Sequence, residues 1–261
     1  MSSPVTPNPW LALRALTAAR IALGRAGVSV PTAAQLNFQL AHAQARDAVH
    51  APLDVQALTV ALTSAGHAPL LTHSACPDRA TYLQRPDLGR VLDQPSRAML
   101  ATATLTPCDL ALVIADGLSA LAIAQNAAPF LATLMQRLAP DGWGEPPVVV
   151  CQQGRVAIGD DIGAILGARS VVVLIGERPG LSSPDSMGLY LTWQPQPGLS
   201  DVDRNCISNV RPGGLSYEEA AYKLHYLLTE ARKRGLSGVA LKDETGAGAD
   251  LAAPAKNFLL G

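Results

Sequence analysis

The sequence predicts an α/β protein: a helical N-terminal region followed by a three-layer domain built on a mostly parallel sheet. Three observations carry that expectation. From Asp109 onward, short runs rich in Val, Ile and Leu (DLALVIA, PPVVVC, SVVVLIG) alternate with helix-length segments, the rhythm of strand–helix–strand crossovers. The runs lack the polar alternation of a half-exposed strand, so both faces of the sheet should be covered. The 261 residues, 48% hydrophobic and 16% charged, suffice for one large or two small domains with a real core.

The front half reads as helical. Pro31 precedes Thr32, and Thr32 with Gln35 has the form of a capping box opening AAQLNFQLAHAQARDAVH, where Leu36, Leu40, Ala43 and Val49 fall near helical spacing. A second helix is expected from Asp54 to just before Gly66, a suitable residue beyond a helix end. Residues 67–107 read as a connecting region with at least one strand or short helix. From there the expected order is a strand at DLALVIADG, a helix from Gly117 to Leu138, a strand at PPVVVC, a short helix at GDDIGAILGA, and strands at SVVVLIG and GLYLTW. The segment Ser216 to Arg234 is the clearest helix. Ser216 and Glu219 form a capping box, Tyr217, Ala220, Ala221, Leu224, Leu227, Leu228 and Ala231 make its apolar stripe, and Gly235 closes it. Arg232, Lys233 and Arg234 complement the dipole in its last turn. GVALK is expected as a final strand, and the Gly/Ala/Pro-rich tail after Asp243 as loosely held.

Charge and cysteine content exclude several classes. The net charge is −1, so a bulk electrostatic hold on nucleic acid or an anionic membrane is not expected. Residues 1–107 carry eight Arg and five Asp with no Lys or Glu (+3), whereas residues 108–261 carry twelve basic and sixteen acidic groups (−4). An Arg-rich, Lys-free half suits an interface that uses the planar guanidinium fork, and is equally read as compositional bias. No apolar run reaches the ~18–20 residues that span a bilayer, and MSSPVTPNPW lacks the form of a secretory signal. Cys76, Cys108, Cys151 and Cys206 are far apart with no C-x-x-C, which fits a reducing cytoplasm better than a zinc knuckle or a disulfide scaffold.

Ligands of open α/β sheets sit at the carboxyl ends of the strands. That rule selects Asp116 and Gly117; CQQGRVAIGD with Gly154, Arg155, Val156 and Gly159; and IGERPGLSSPDS with Glu177, Arg178, Gly180, Ser182, Ser183 and Asp185. DRNCISN, with Cys206, is a fourth candidate loop before the last long helix. Each has a plainer reading. Asp116 ahead of Gly117 has the form of a helix cap, Glu177–Arg178 of solvated loop charge, and SSPDS of a turn. Cys206 reads as a small packed residue because no His stands near it in sequence to activate it. G-x-G-x-x-G after a strand, G-x-x-x-x-G-K-[ST] and G-x-S-x-G are all absent. His42 and His50 are poorly spaced for a metal and read as packing or capping residues. The residues alone therefore describe an α/β binding domain without an evident catalytic set.

The blocks ARIALGRAGVSVPT (19–32), LAHAQARDAVHAPLD (40–54), DLALVIADGLSALA (109–122), GRVAIGDDIGAILGARSVVVLIGERPGLSSPDSMGLYLTW (154–193), RNCISNVRPGGLSYEEAAYKLHYLL (204–228) and LSGVALKD (236–243) closely resemble the small (light) subunits of ethanolamine ammonia-lyases, from about Pro9 to Asp243. The resemblance implies a Rossmann-like domain over 108–261 and a mainly helical region, 1–107, that docks on a catalytic large subunit. It implies an adenosylcobalamin-dependent lyase that converts ethanolamine to acetaldehyde and ammonia, with the cofactor site closed at the interface between the two kinds of subunit. Six large and six small chains are expected, with neither nucleic acid nor membrane as partner, and no activity of the small chain alone. By resemblance the cofactor contacts are Val156, acting through its backbone; Glu177, accepting from amide side arms; and Cys206, as a packing or weak hydrogen-bonding contact. Arg155, Ser182 and Asp185 are neighbours by position. No catalytic residue and no metal ligand is assigned to this chain. None of the five His has Gly three residues later, so the D-x-H-x-x-G pattern is absent and cobalt is expected to keep its own base. Members packaged in bacterial microcompartments can carry a longer amphipathic extension. Here about eight residues precede Pro9 and they have no apolar stripe, so a plain cytoplasmic complex stands beside packaging as an expectation. An architectural subunit that stabilises the large chain without touching cofactor is the alternative.

Overall fold

The computed structural model of the chain describes residues 4–103 and 108–246. Its centre is a six-stranded sheet in the order β1-β3-β2-β4-β5-β6. β1 (Leu70–His73), β2 (Leu110–Ala115), β3 (Val148–Gln152) and β4 (Ser170–Gly176) run parallel, with Leu70 opposite Val149, Leu112 opposite Val148 and Leu110 opposite Ser170. β5 (Met187–Trp193) and β6 (Arg204–Val210) complete the sheet antiparallel, Ser170 facing Trp193 and Tyr190 facing Cys206.

Side-chain alternation along β2 explains the layering. Leu110, Leu112 and Ile114 enter a core shared with α2 (Val55–Ser64), α5 (Ala120–Leu138) and α7 (Tyr217–Arg234). Ala111, Val113 and Ala115 enter the opposite core, with Leu100 of α4 (Gln94–Thr102) and Ile158 and Ile162 of α6 (Ile158–Leu166). Every residue of β2 and β4 is buried, as expected of strands covered on both faces. α5 connects β2 to β3 on one face and α6 connects β3 to β4 on the other. The chain thus crosses β2, and the carboxyl end of that strand is the switch point of the sheet.

From Asp109 to Trp193 the elements follow the expected order, and in α7 the Ser216–Glu219 capping box and the αL Gly235 are both present. Elsewhere the structure corrects the sequence reading. α1 (Thr32–His50) has Pro31 at its N-cap and no side-chain capping bond, so Thr32 is the first helical residue and no capping box forms. Its buried residues are Ala41 and Ala48, while Leu36 and Leu40 are 58% and 57% exposed. The connecting region holds β1, α3 (Arg79–Gln84) and α4. DRNCISN is not a loop but most of β6: Arg204 is buried toward α6, whereas Ile207 and Val210 enter the opposite core, three apart because the β5–β6 register shifts between Met187 and Leu189, and this hides the period of two. GVALK is not a strand. Gly238–Ala240 is a 3-10 turn whose backbone bonds go to the Asn205 amide, which accepts from the Gly238 N–H (2.8 Å) and donates to Gly238 O (3.1 Å) and Leu241 O (2.7 Å). β1 and the buried Leu58 and Leu62 of α2 belong to the same sheet and core as the elements after residue 108. Residues 104–107, where the regional boundary was placed, and the tail from 247 lie outside the described residues.

Two carboxylates in the first turn of α6 tie the second face together. Asp161 accepts from Arg97 Nη2 (2.5 and 2.6 Å) and from the Leu92 N–H (3.0 Å), which holds α4 and the segment before it. Asp160 pairs with Arg204 at the start of β6, both side chains being almost wholly buried. Burial pushes the Asp160 carboxyl up to about 6, against the lowering pull of Arg204. The folded chain therefore holds this proton more tightly than the unfolded chain, and stability falls as pH rises between the ordinary Asp range and about 6. Asp160→Asn should remove that part of the slope, as read from denaturant unfolding at a series of pH values. An unchanged pH profile would contradict the assignment.

Candidate functional site

Three loops meet at the switch point. Leaving β2, the chain turns at Gly117, whose φ is +58° and where a Cβ would lie 2.3 Å from Gly176 O. Only glycine lets this turn lie against the end of β4. Asp116 is not the cap of α5. Ser119 is, accepting from the Ala122 N–H at 3.1 Å, while Asp116 is buried and accepts from the Gly154 N–H at 3.3 Å. That bond joins the ends of β2 and β3. Burial holds the Asp116 carboxyl above the usual carboxylate range, and Arg79 works against it.

Arg79 connects this end of the sheet to the helical front region. Its Nε donates to Val49 O in α1 (2.7 Å), and its Nη1 donates to Gly117 O (2.8 Å) and to Gln153 Oε1 (3.2 Å). Nη1 also lies 3.6 Å from Asp116 Oδ2. The guanidinium of Arg79 sits over the Tyr82 ring at 4.6 Å and that of Arg155 at 4.0 Å, so one aromatic ring serves two cations. Tyr82 in turn donates through its hydroxyl to Gly154 O at 3.2 Å and accepts at its carbonyl from Arg155 Nη2 at 2.9 Å.

Above this floor is an open cleft of about 420 Å³, lined by Tyr82, Gly117, Leu118, Arg155, Val156, Ile175, Gly176, Glu177, Arg178 and Tyr190. Val156 and Glu177, two of the three contacts expected by resemblance, are on its wall, as are Gly117, Arg155 and Arg178 from the strand-end loops. Cys206 is exposed on β6 and is not among the lining residues. It lies opposite Tyr190, which is, and its Sγ is 3.3 Å from Ser208 Oγ. Burial and the neighbouring Cys206 thiol push the Tyr190 phenol up. Glu177 is half-buried; its Oε2 accepts from Ser186 Oγ and from the Asn209 N–H (3.1 Å).

The loop from Glu177 to Ser186 is fastened to α5 and to the N-terminal segment. Ser119 Oγ donates to Pro184 O (2.7 Å), Asn126 Nδ2 donates to Asp185 O (2.8 Å), and Arg20 Nη2 donates to Leu181 O (3.1 Å). Ser182 is exposed and is not among the residues lining the cleft, and Asp185 faces Arg211 at 3.4 Å. On the far side of Arg155 and Val156 lies a second hollow of about 630 Å³, whose carboxylates Asp160 and Asp161 are the ones paired with Arg204 and Arg97.

Sequence reasoning missed Arg79, Tyr82, Ser186 and Tyr190. A usable signal existed for the first two: Asp78 before RATYLQ is an N-cap, and it accepts from the Thr81 N–H at 2.7 Å. Arg79→Ala strands the buried Asp116 and should lower unfolding stability by about 3 kcal/mol or more. Arg79→Lys should restore less than half of that, because one ammonium cannot span the same acceptors. Chemical denaturation of the three proteins checks this, and full restoration by Lys would contradict it.

Among the described residues no group of three or more His, Cys, Asp or Glu could hold a metal ion, and no helix is long and apolar enough to cross a membrane. Residues 7–242 match the family described as ethanolamine ammonia-lyase light chain (EutC). The chain is 59% identical over 259 residues to a protein of Ralstonia nicotianae named ethanolamine ammonia-lyase small subunit, covering 98% of this chain and 96% of that one. It is 60% identical over 245 residues to the protein of the same name from Pseudomonas fluorescens strain Pf0-1 (92% and 89% covered), and 59% identical over 244 residues to that of Pseudomonas putida strain W619 (92% and 90%). A match of this extent, across both the helical front region and the α/β sheet, places the chain in the ethanolamine ammonia-lyase light chain family.

Proposed function

We propose that this chain is the small subunit of an ethanolamine ammonia-lyase and forms one wall of its adenosylcobalamin site against the large subunit. The observation that carries the reading is Glu177. It stands beside Val156 at the switch point of the sheet, one carboxylate oxygen fixed by the protein and the other, Oε1, without a hydrogen-bond partner among the described residues.

The donor set suits an amide-rich ring. Leu118, Val156 and Ile175 offer an apolar wall, Glu177 Oε1 offers an acceptor for amide N–H groups, and the Val156 backbone is at the cleft edge. Small-ligand clefts run from about 300 to 1,000 Å³. At about 420 Å³ and open, this one holds part of a corrin and leaves the rest to a second surface. Cys206, next to Tyr190, is a packing contact at the margin. When bound, adenosylcobalamin supplies the radical chemistry through homolysis of its Co–C bond, and cobalt keeps its own base. This chain's residues bind and orient the ring and exclude water, while release of acetaldehyde and ammonia from ethanolamine belongs to the large subunit.

Docking on that subunit is assigned to the front region. Trp10, Leu16, Val28, Val30, Leu36 and Leu40 are all more than half exposed within one stretch of thirty-one residues (10–40), a density that a free surface does not favour. Six large and six small chains, in the cytoplasm or inside a microcompartment, complete the proposed assembly.

Glu177→Ala should weaken cofactor binding to the assembled enzyme by about tenfold or more, the value of a hydrogen bond to a charged group. Subunit association should stay near wild type. Spectrophotometric titration with adenosylcobalamin gives the first quantity and sedimentation the second. Equal cofactor affinities in mutant and wild type would favour the architectural alternative.

A further inference from the structure

Resting on that reading of Glu177, we propose that Ser186 is a positioning residue for the cofactor contact: it holds the Glu177 carboxylate so that Oε1 alone faces the ligand. Glu177 directly follows β4 and Ser186 directly precedes β5, and the Glu177 N–H donates to Ser186 O at 2.9 Å, closing the base of the intervening loop. The Ser186 hydroxyl then donates to Glu177 Oε2. A second donor to the same oxygen, the Asn209 N–H at 3.1 Å, comes from β6, where Asn209 has a φ of +62°. Both protein donors are therefore spent on Oε2. A carboxylate oxygen has two lone pairs, so Oε1 keeps its full accepting capacity for a ligand N–H.

Space for this arrangement comes from Gly188, where a Cβ would lie 3.0 Å from Glu177 Oε1 and 3.1 Å from its Cγ. Ser186 itself is only 5% exposed and is not among the residues lining the cleft, so it acts through Glu177 and not on the ligand. A free glutamate loses several rotamers when it binds, and a hydroxyl that fixes it beforehand removes that cost from binding. The loop does not depend on the Ser186 hydroxyl for its shape, because Ser119 and Asn126 fasten it at Pro184 and Asp185.

The test is a double-mutant cycle on the assembled enzyme, reading the Kd for adenosylcobalamin by visible absorbance, with thermal unfolding of each variant alongside. Ser186→Ala should raise Kd about tenfold in the wild-type background. In the Glu177→Ala background it should change Kd less than about twofold, since nothing remains for the hydroxyl to orient. An unchanged Kd in Ser186→Ala, or the same fold-change in both backgrounds, would overturn the positioning role while leaving the Glu177 contact standing. A wild-type Kd in Glu177→Ala would instead overturn the Glu177 contact, and the positioning role with it.

Discussion

The pairing of Arg79 with Asp116 is the contact on which the site depends. Asp116 lies at the carboxyl end of the central strand, with only 3% of its surface exposed, and a carboxylate in such a place is costly unless it is paired and hydrogen-bonded. Arg79 and the Gly154 N–H meet that need. The same guanidinium bonds the end of α1, the turn after β2 and the loop after β3, and stacks on Tyr82. Solving one electrostatic problem thus fixes the relative positions of three elements. Tyr82 extends the node to Arg155, the residue before Val156, so the backbone expected to meet the cofactor is carried on the same scaffold.

The three residues assigned to the cofactor are each held by a different device. Val156 follows a loop anchored by the Arg155 N–H to Gly89 O at 2.7 Å and by Tyr82. Glu177 is fixed through its own carboxylate by donors from the residue just before β5 and from the end of β6. Cys206 rides on β6, whose first residue, Arg204, is clamped to α6 through Asp160, four residues beyond Val156. Rigid support of this kind suits a chain whose proposed task is to orient a large cofactor and not to transform it. The exposed apolar side chains of α1 and of the segment before it are not covered within this chain, and the proposed docking on a large subunit would cover them.

Much of the fold was legible because a fully covered strand is written almost without polar residues, as in SVVVLIG, and because Ser216, Glu219 and Gly235 spell both ends of α7. The strand-end rule then pointed to Asp116, Val156 and Glu177 without any knowledge of the helices. What was not legible depended on tertiary context. β6 buries Arg204 on one face and Ile207 and Val210 on the other, the last two across an irregular register, so no period of two was there to read. The GVALK segment satisfies its backbone through a distant asparagine. Asp116 has the local form of a cap, yet its partner Arg79 is on a six-residue helix far back in a Pro- and Thr-rich stretch. Leu36 and Leu40 have the spacing of a core stripe but face outward, since periodicity reports a common face and not what covers it.

The central claim, a cofactor site shared between two kinds of subunit, is tested most directly by reconstitution. Acetaldehyde and ammonia released from ethanolamine in the presence of adenosylcobalamin should be measured for this chain alone, for its large subunit alone, and for the two together. The account predicts turnover only in the mixture. Turnover by the large subunit alone at the rate of the mixture would contradict it.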